Sequence, residues 1–225
     1  MIINSDKRNT VCLIGTNSLI ANQLEKSGYT VLQYGRKTNP GIDFTEDALQ
    51  HSIENVVQDS HTSRFIIFSG YLNNKKITDQ RRSEIVNSMF INSIGPVLFC
   101  EYVLEKIENA RIILIGSESG IKGSYDLSYA LAKSSLRMYI RQRKVKPEQQ
   151  LVLVSPSTIS DLGMTRRRKD LDRLNTYRTN HPKKRFLDSL ELSHILKGIM
   201  ESSVYLTNTE IELCGGKFAS MCNNN

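Results

Sequence analysis

The sequence predicts an α/β protein built on a doubly wound parallel sheet, and three observations predict it. The apolar runs Thr10–Ile14, Ile112–Ile115 and Leu151–Val154 are continuous rather than alternating, as in strands buried on both faces. Helical spacing fills most of the intervals between such runs. Glycine, serine or proline follows nearly every run, at Gly15, Gly35, Ser69-Gly70, Gly116-Ser117 and Ser155-Pro156, so turns collect beyond the carboxyl ends of the strands.

Taken in order, Thr10–Ile14 is the first strand, and Gly15-Thr16-Asn17-Ser18 turns it into a helix from Leu19 to Lys26, closed by Gly28. Strand, glycine turn and helix N-terminus together suit an anion, because free N–H groups and the helix dipole point at it. Tyr29–Tyr34 is the second strand and ends in Gly35-Arg36-Lys37. Glu46–Val57 has helical spacing at Leu49, Ile53 and Val56-Val57, and Arg64–Phe68 is a further strand. A long helical segment runs from about Asp79 to Ile107, with Asn92 three residues before Gly95-Pro96, where a kink is expected.

The strand ending in Ile115 leads through Gly116-Ser117, Gly120 and Gly123 into a helix that carries Tyr129 and Lys133. Residues at i and i+4 share one helical face, so phenol and ammonium are neighbours there. Leu151–Val154 is the next strand, ending at Ser155-Pro156. Asp188 and Glu191 read as a capping box opening a helix to about Ser202, with Leu192, Ile195, Leu196 and Ile199 on one face. Glu210–Cys214 and Gly215-Gly216 form the last strand and turn, and the final eight residues a tail.

At 225 residues the chain is expected to form one domain over 1–225 with a substantial core. No run approaches the ~18 apolar residues of a membrane span, and the polar start does not read as a signal peptide. Cys12, Cys100, Cys214 and Cys222 are scattered and read as reduced thiols of a cytoplasmic protein. His51, His61, His181 and His194 lack ligand spacing, which argues against a metal site. The net charge of +7 is concentrated late, where Met164–Arg185 holds nine Lys/Arg against two Asp. No aromatic platform interleaves with those cations, which argues against nucleic acid.

Tyr-x-x-x-Lys occurs three times, at Tyr71/Lys75, Tyr102/Lys106 and Tyr129/Lys133. Only the last follows a buried strand ending in serine a dozen residues upstream. With that context the chain resembles the short-chain dehydrogenase/reductase family, whose signature is such a strand followed by Tyr-x-x-x-Lys. The resemblance implies a Rossmann-like single domain and assigns general acid/base chemistry to Tyr129. It gives pKa lowering and ribose binding to Lys133, a hydrogen bond to the reacting oxygen to Ser117, and support of the lysine to Asn92. An unperturbed tyrosine titrates near ~10, and an adjacent cation favours the phenolate.

The same resemblance sets out a cofactor site along the chain. Gly15, Asn17, Ser18, Leu19 and Ile20 fall at the pyrophosphate turn, where Leu19 and Ala21 replace two of the family's three glycines. Ile42-Asp43-Phe44 matches a short third strand, with Asp43 and Phe44 at the adenine. Ser69 and Gly70 stand by the ribose, and Pro156 and Ile159 by the nicotinamide, with Asp161 where a threonine is expected. Gly35-Arg36-Lys37 lacks the carboxylate that accepts the NAD ribose hydroxyls, so Arg36 points to NADP(H), with NAD(H) as the second choice.

These residues together predict an NADP-dependent oxidoreductase acting on a small carbonyl/alcohol pair. A basic lid over about 162–187 suggests an anionic substrate, such as a sugar phosphate, a nucleotide-linked compound or a carrier-bound acyl group. A homodimer or homotetramer is expected through the long helix and the Tyr129 helix, with Leu136, Met138 and Tyr139 facing outward. Two rivals remain: a non-catalytic dinucleotide sensor, favoured by the altered glycines, and a sugar-modifying epimerase or dehydratase. The latter relatives carry a substantial C-terminal substrate domain, whereas only about ninety residues follow Lys133 here.

Overall fold

The structure, a computed structural model, describes residues 9–15, 17–166 and 170–219. Its centre is one six-stranded sheet, every neighbouring pair parallel: β1 (Thr10–Ile14), β2 (Thr30–Tyr34), β3 (Arg64–Ile67), β4 (Arg111–Ile115), β5 (Gln150–Pro156) and β6 (Thr209–Leu213). The strand order is β2-β1-β3-β4-β5-β6. The chain leaves β1 towards β2 at one edge, then returns to place β3 on the other side of β1. Winding therefore reverses between β1 and β3, which opens a crevice beyond their carboxyl ends.

Continuous apolar strands are required because both faces are covered. Val11 and Leu13 join Ile66, Ile113, Val152 and Val154 beneath α1 (Ser18–Lys26) and α9 (Ser189–Glu201). Cys12 and Ile14 point the other way, onto α2 (Leu49–Ser60), α4 (Gly95–Lys106) and α6 (Leu127–Gln142). Phe65 and Phe99 meet edge to face within that second layer, their ring centroids 5.8 Å apart. Cys12, Cys100 and Cys214 are free and buried, and Cys222 lies outside the described residues. No described helix is long and apolar enough to cross a membrane.

Two expected elements differ. Ile42–Phe44 forms no strand; Ile42 and Phe44 are buried as side chains of an irregular segment. Phe44 lies so close to Gly95 that a Cβ there would meet its ring at 2.5 Å. The long helix expected over 79–107 is broken into a 3₁₀ turn at Ile77–Asp79, α3 (Arg82–Met89), a π-turn at Phe90–Ile94, and α4. Pro96 has no N–H to donate to the carbonyl of Asn92 four residues back, and the Gly95 N–H reaches Phe90 O, five residues back. The remaining helices are the short α5 (Ser119–Lys122), α7 (Gly163–Arg166) and α8 (Leu171–Asn180).

Candidate active site

Beyond the carboxyl end of β4 the chain passes through Gly116-Ser117, and α6 starts ten residues later. Asp126 caps α6, its carboxylate accepting from the Tyr129 N–H at 3.2 Å. Tyr129 is 6 % exposed and Lys133, one turn on, 3 % exposed, so both polar heads are turned inward to the strand ends. Lys133 Nζ donates to Ile115 O at 2.8 Å and to Ser69 O at 3.2 Å, spanning the ends of β3 and β4. An ammonium has three protons, and these two carbonyls take two of them. Gly120 allows α5 to lie on this helix: a Cβ there would meet the Lys133 backbone at 2.8 Å.

Burial dominates the electrostatics. It pulls the Lys133 ammonium down to about 7. The Tyr129 phenol is pushed up, first by burial, with the Asp126 charge adding and a hydrogen bond to Ser117 opposing. The expectation that Lys133 lowers the tyrosine is therefore not met in this state, because the lysine is aimed at backbone carbonyls and is itself desolvated. A protonated phenol paired with Ser117 is a proton donor at neutral pH.

Asn92 is fully buried, but its amide reaches the loop after β3 rather than the lysine. Its Oδ1 accepts from the Tyr71 N–H at 2.9 Å, and its Nδ2 donates to Tyr71 O at 2.8 Å and Ser88 O at 2.9 Å. Ser69 donates its hydroxyl to Ile91 O at 2.9 Å, and Gly70 beside it is exposed. The π-turn, the loop and Lys133 are thereby joined around one wall of the crevice.

At β1, Gly15 adopts φ +92, and a Cβ would lie 2.7 Å from Phe68 O, so only glycine passes between the strand ends. Asn17 caps α1, its Oδ1 accepting from Ile20 N at 3.4 Å, and no acid occupies the first turn. Ser18 is exposed and Leu19 half-buried. Ile20 and Ala21 are fully buried in the core, so Ile20 offers a ligand backbone only, and the alanine methyl does not project into the crevice. Thr16 lies outside the described residues.

After β2, Thr38 Oγ1 accepts from Gly35 N at 3.0 Å and donates towards Gly35 O at 2.9 Å and Pro40 O at 2.8 Å, closing a turn with Arg36 and Lys37 exposed at its tip. Asp43 accepts from Thr45 N at 3.0 Å and Thr45 Oγ1 at 2.8 Å, which holds its carboxylate in a local turn. Phe44 is core. Pro156 ends β5 and accepts from Glu118 N at 2.9 Å, and Ile159 bridges to Leu187. Asp161 accepts from Ser189 N at 3.0 Å, tying the loop after β5 to the start of α9. Glu191 pairs with Arg185 instead of completing the expected box around Asp188.

Several polar groups here were not singled out from the sequence. Glu118, next to Ser117, is buried between Lys122 Nζ at 2.6 Å and Lys217 Nζ at 2.9 Å. Its i,i+4 spacing to Lys122 was legible; Lys217, 99 residues away, was not. Asp126 had a visible N-cap position, but Gln80, which donates to it at 3.0 Å, carried no signal.

No protein-family model matches the sequence, and no curated protein matches it significantly. Solved structures do match. The aldohexose dehydrogenase of Thermoplasma acidophilum superposes with TM-score 0.79 at 15% identity, over 98% of this chain and 99% of that one. A short-chain dehydrogenase/reductase of Brucella melitensis, described as a glucose/ribitol dehydrogenase, gives 0.79 at 18% over 96% and 99%. A short-chain dehydrogenase/reductase of Serratia marcescens gives 0.81 at 14% over 94% and 98%. This is the short-chain dehydrogenase/reductase fold. At such identities the fold is what is shared, and the chemistry rests on the residues.

Within that fold the crevice fits a nicotinamide dinucleotide on its own features: the close pass at Gly15, an α1 N-terminus free of acids, two exposed cations after β2, and a buried lysine with a proton to spare. A separate cleft of about 520 Å³, lined by Leu98, Glu101, Tyr102, Arg143, Val145 and Gln149 among others, lies towards the amino ends of β4 and β5, away from these groups.

Proposed function

We propose that the protein is an NADP-dependent oxidoreductase that interconverts a carbonyl and an alcohol, and that in reduction Tyr129 is the proton donor. The observation that carries this reading is the buried Tyr129 with Ser117 near enough to oppose the effect of burial on its phenol, one helical turn from Lys133, at the carboxyl ends of β3 and β4. When bound, the nicotinamide supplies the hydride. Tyr129 Oη gives its proton to the substrate oxygen, and Ser117 Oγ fixes that oxygen by a hydrogen bond. When charged, Lys133 binds the ribose with its remaining N–H and stabilises the phenolate left behind. Asn92 keeps the crevice wall in place through Tyr71.

Arg36 and Lys37 support a 2′-phosphate, which suits a guanidinium fork and an ammonium. The exposed cations of the 162–187 segment, among them Arg166, Arg173, Arg178, Lys183 and Lys184, support an anionic substrate. A cleft of about 550 Å³ between α8 and the following loop, lined by Leu171, Leu174, Arg178, Arg185 and Phe186, carries Asp172 and Asp188 as well and is balanced in charge, so the support comes from the exposed cations around it. Arg167, Arg168 and Lys169 lie outside the described residues.

Exposed Val86, Ile94 and Leu98 on α3–α4, with Leu127, Leu131 and Met138 on α6, support association through these helices. Two residues expected there face elsewhere: Leu136 is core, and Tyr139 is half-buried, donating to Glu101 at 2.7 Å.

The test is a panel of aldehydes, ketones and their alcohols followed by NADPH absorbance. Turnover in the wild type that collapses in Tyr129→Phe, with cofactor binding retained, supports the assignment. Cofactor binding without turnover across the panel would favour the dinucleotide sensor.

A further inference from the structure

Asp126 is 1 % exposed and joins two segments distant in sequence. Its Oδ2 accepts from Asn73 N at 2.6 Å in the loop after β3. Its Oδ1 accepts from Gln80 Nε2 at 3.0 Å ahead of α3, and from Ser128 Oγ at 2.8 Å and Tyr129 N at 3.2 Å in the first turn of α6. Ser128 Oγ also reaches Gln80 Oε1 at 2.8 Å, and Gln80 Nε2 reaches Lys75 O at 3.0 Å, closing the network. A buried carboxylate ordinarily demands a cation. Among the described residues this one has hydrogen-bond donors and the positive end of a sixteen-residue helix instead. An N-cap alone would need one acceptor and no burial.

We propose that Asp126 is a positioning residue that locks the loop Tyr71–Gln80 to the start of the Tyr129 helix and fixes a negative charge in the same helical turn as Tyr129. This rests on the reading of Tyr129 as proton donor. Burial alone would raise the Asp126 carboxyl, but the bonds from Asn73, Ser128, Gln80 and Tyr129 outweigh it and hold the group ionised. That charge in turn disfavours the phenolate. Several charged groups on elements packed against α6 are paired: Lys122 with Glu118, Glu84 with Lys75 and Arg81, and Arg137 with Glu210 and Glu212. Arg82 on α3 and Arg141 on α6 carry exposed, solvent-screened charges, and Lys133 is buried, which favours its neutral form. Asp126 thus biases the resting site towards the proton-loaded form that carbonyl reduction uses, while holding the loop that Asn92 grips from its other end.

The ionisation of Tyr129 is read without substrate, as the near-ultraviolet phenolate difference between each protein and its own Tyr129→Phe derivative. Asp126→Asn should lower the midpoint. It should also speed amide exchange in Tyr71–Gln80 and in the first turn of α6 together, since an amide N–H then faces a donor. Gln80→Met keeps the charge while cutting one link, so exchange in the loop should rise with the midpoint unmoved. An unchanged midpoint in Asp126→Asn, or a midpoint moved as far in Gln80→Met, would overturn the electrostatic part; unchanged loop exchange in Gln80→Met overturns the lock, even if Asp126→Asn does not fold. Failure of the proton-donor reading appears separately, as normal turnover in Tyr129→Phe.

Discussion

Lys133 Nζ sits 2.8 Å from the carbonyl oxygen of Ile115, the last residue of β4, so the ammonium is fastened to the strand that delivers Ser117. Its burial has a cost that depends on pH.

The folded-state pKa of Lys133 falls to about 7 from 10.5, so between these values the unfolded chain binds more protons than the folded one. Stability then rises with pH across that window, and the cost is present in full below about pH 7. Lys133→Met loses two hydrogen bonds at every pH but removes the slope. Thermal unfolding of the cofactor-free protein should show wild type gaining on Lys133→Met from pH 7 to pH 10; parallel curves would mean the lysine is better solvated than its surroundings imply.

Gly95→Ala drives a methyl into the Phe44 ring, which is held by core on its far side. Overpacking of this kind costs about 1–3 kcal/mol, more than the ~1 kcal/mol that alanine gains over glycine in a helix. Denaturant midpoints should fall in Gly95→Ala and recover in Gly95→Ala/Phe44→Leu. No recovery would place the strain elsewhere.

Much of this was legible. Continuous apolar strands and the turns after them specified the sheet, because burial on both faces leaves no alternation. Tyr129, Lys133 and Ser117 were legible because i,i+4 spacing and a strand end are local geometry. What was hidden is long-range: Asn92 to Tyr71, Asp126 to Asn73 and Gln80, and Glu118 to Lys217 depend on loops whose paths no local pattern encodes. Ile42–Phe44 misled for the opposite reason, since its alternating burial mimics a strand without a partner to pair with.

The proposed preference for NADPH rests on the Gly35–Pro40 turn, with Arg36 and Lys37 exposed at its tip. A charged contact to phosphate is worth about 1.5–3 kcal/mol, or roughly ten- to a hundred-fold in affinity. NADPH should bind tighter than NADH by that ratio in a fluorescence titration, and Arg36→Glu should erase it. Equal binding in the wild type would remove the assignment.

The exposed stripe on α3, α4 and α6 should bring protomers together. Light scattering at micromolar concentration should give a dimer or tetramer, and Leu98→Glu/Met138→Glu should give monomers that keep the same circular dichroism. A monomeric wild type would refute this.

The exposed cations of the 162–187 segment, with Arg178 on the cleft beside α8 among them, should act on substrate charge. Neutralising Arg166, Arg173 and Arg178 together should raise KM several-fold at low salt for a phosphorylated substrate while sparing its uncharged analogue. An unchanged ratio between the two leaves these cations as solvated surface.

The π-turn at Phe90–Ile94 inserts one residue into an otherwise α-helical path. An i→i+5 turn takes more residues round the helix axis than an α-turn does, so the extra residue is absorbed as a bulge between α3 and α4. Removing one residue between Ser88 and Asn92 would close the turn as an α-helix and leave Asn92 three residues after Ser88, so its amide would lose the Ser88 carbonyl four residues back. The segment therefore tolerates substitution far better than deletion, and among related sequences its length is a sharper mark of a preserved crevice than its side chains.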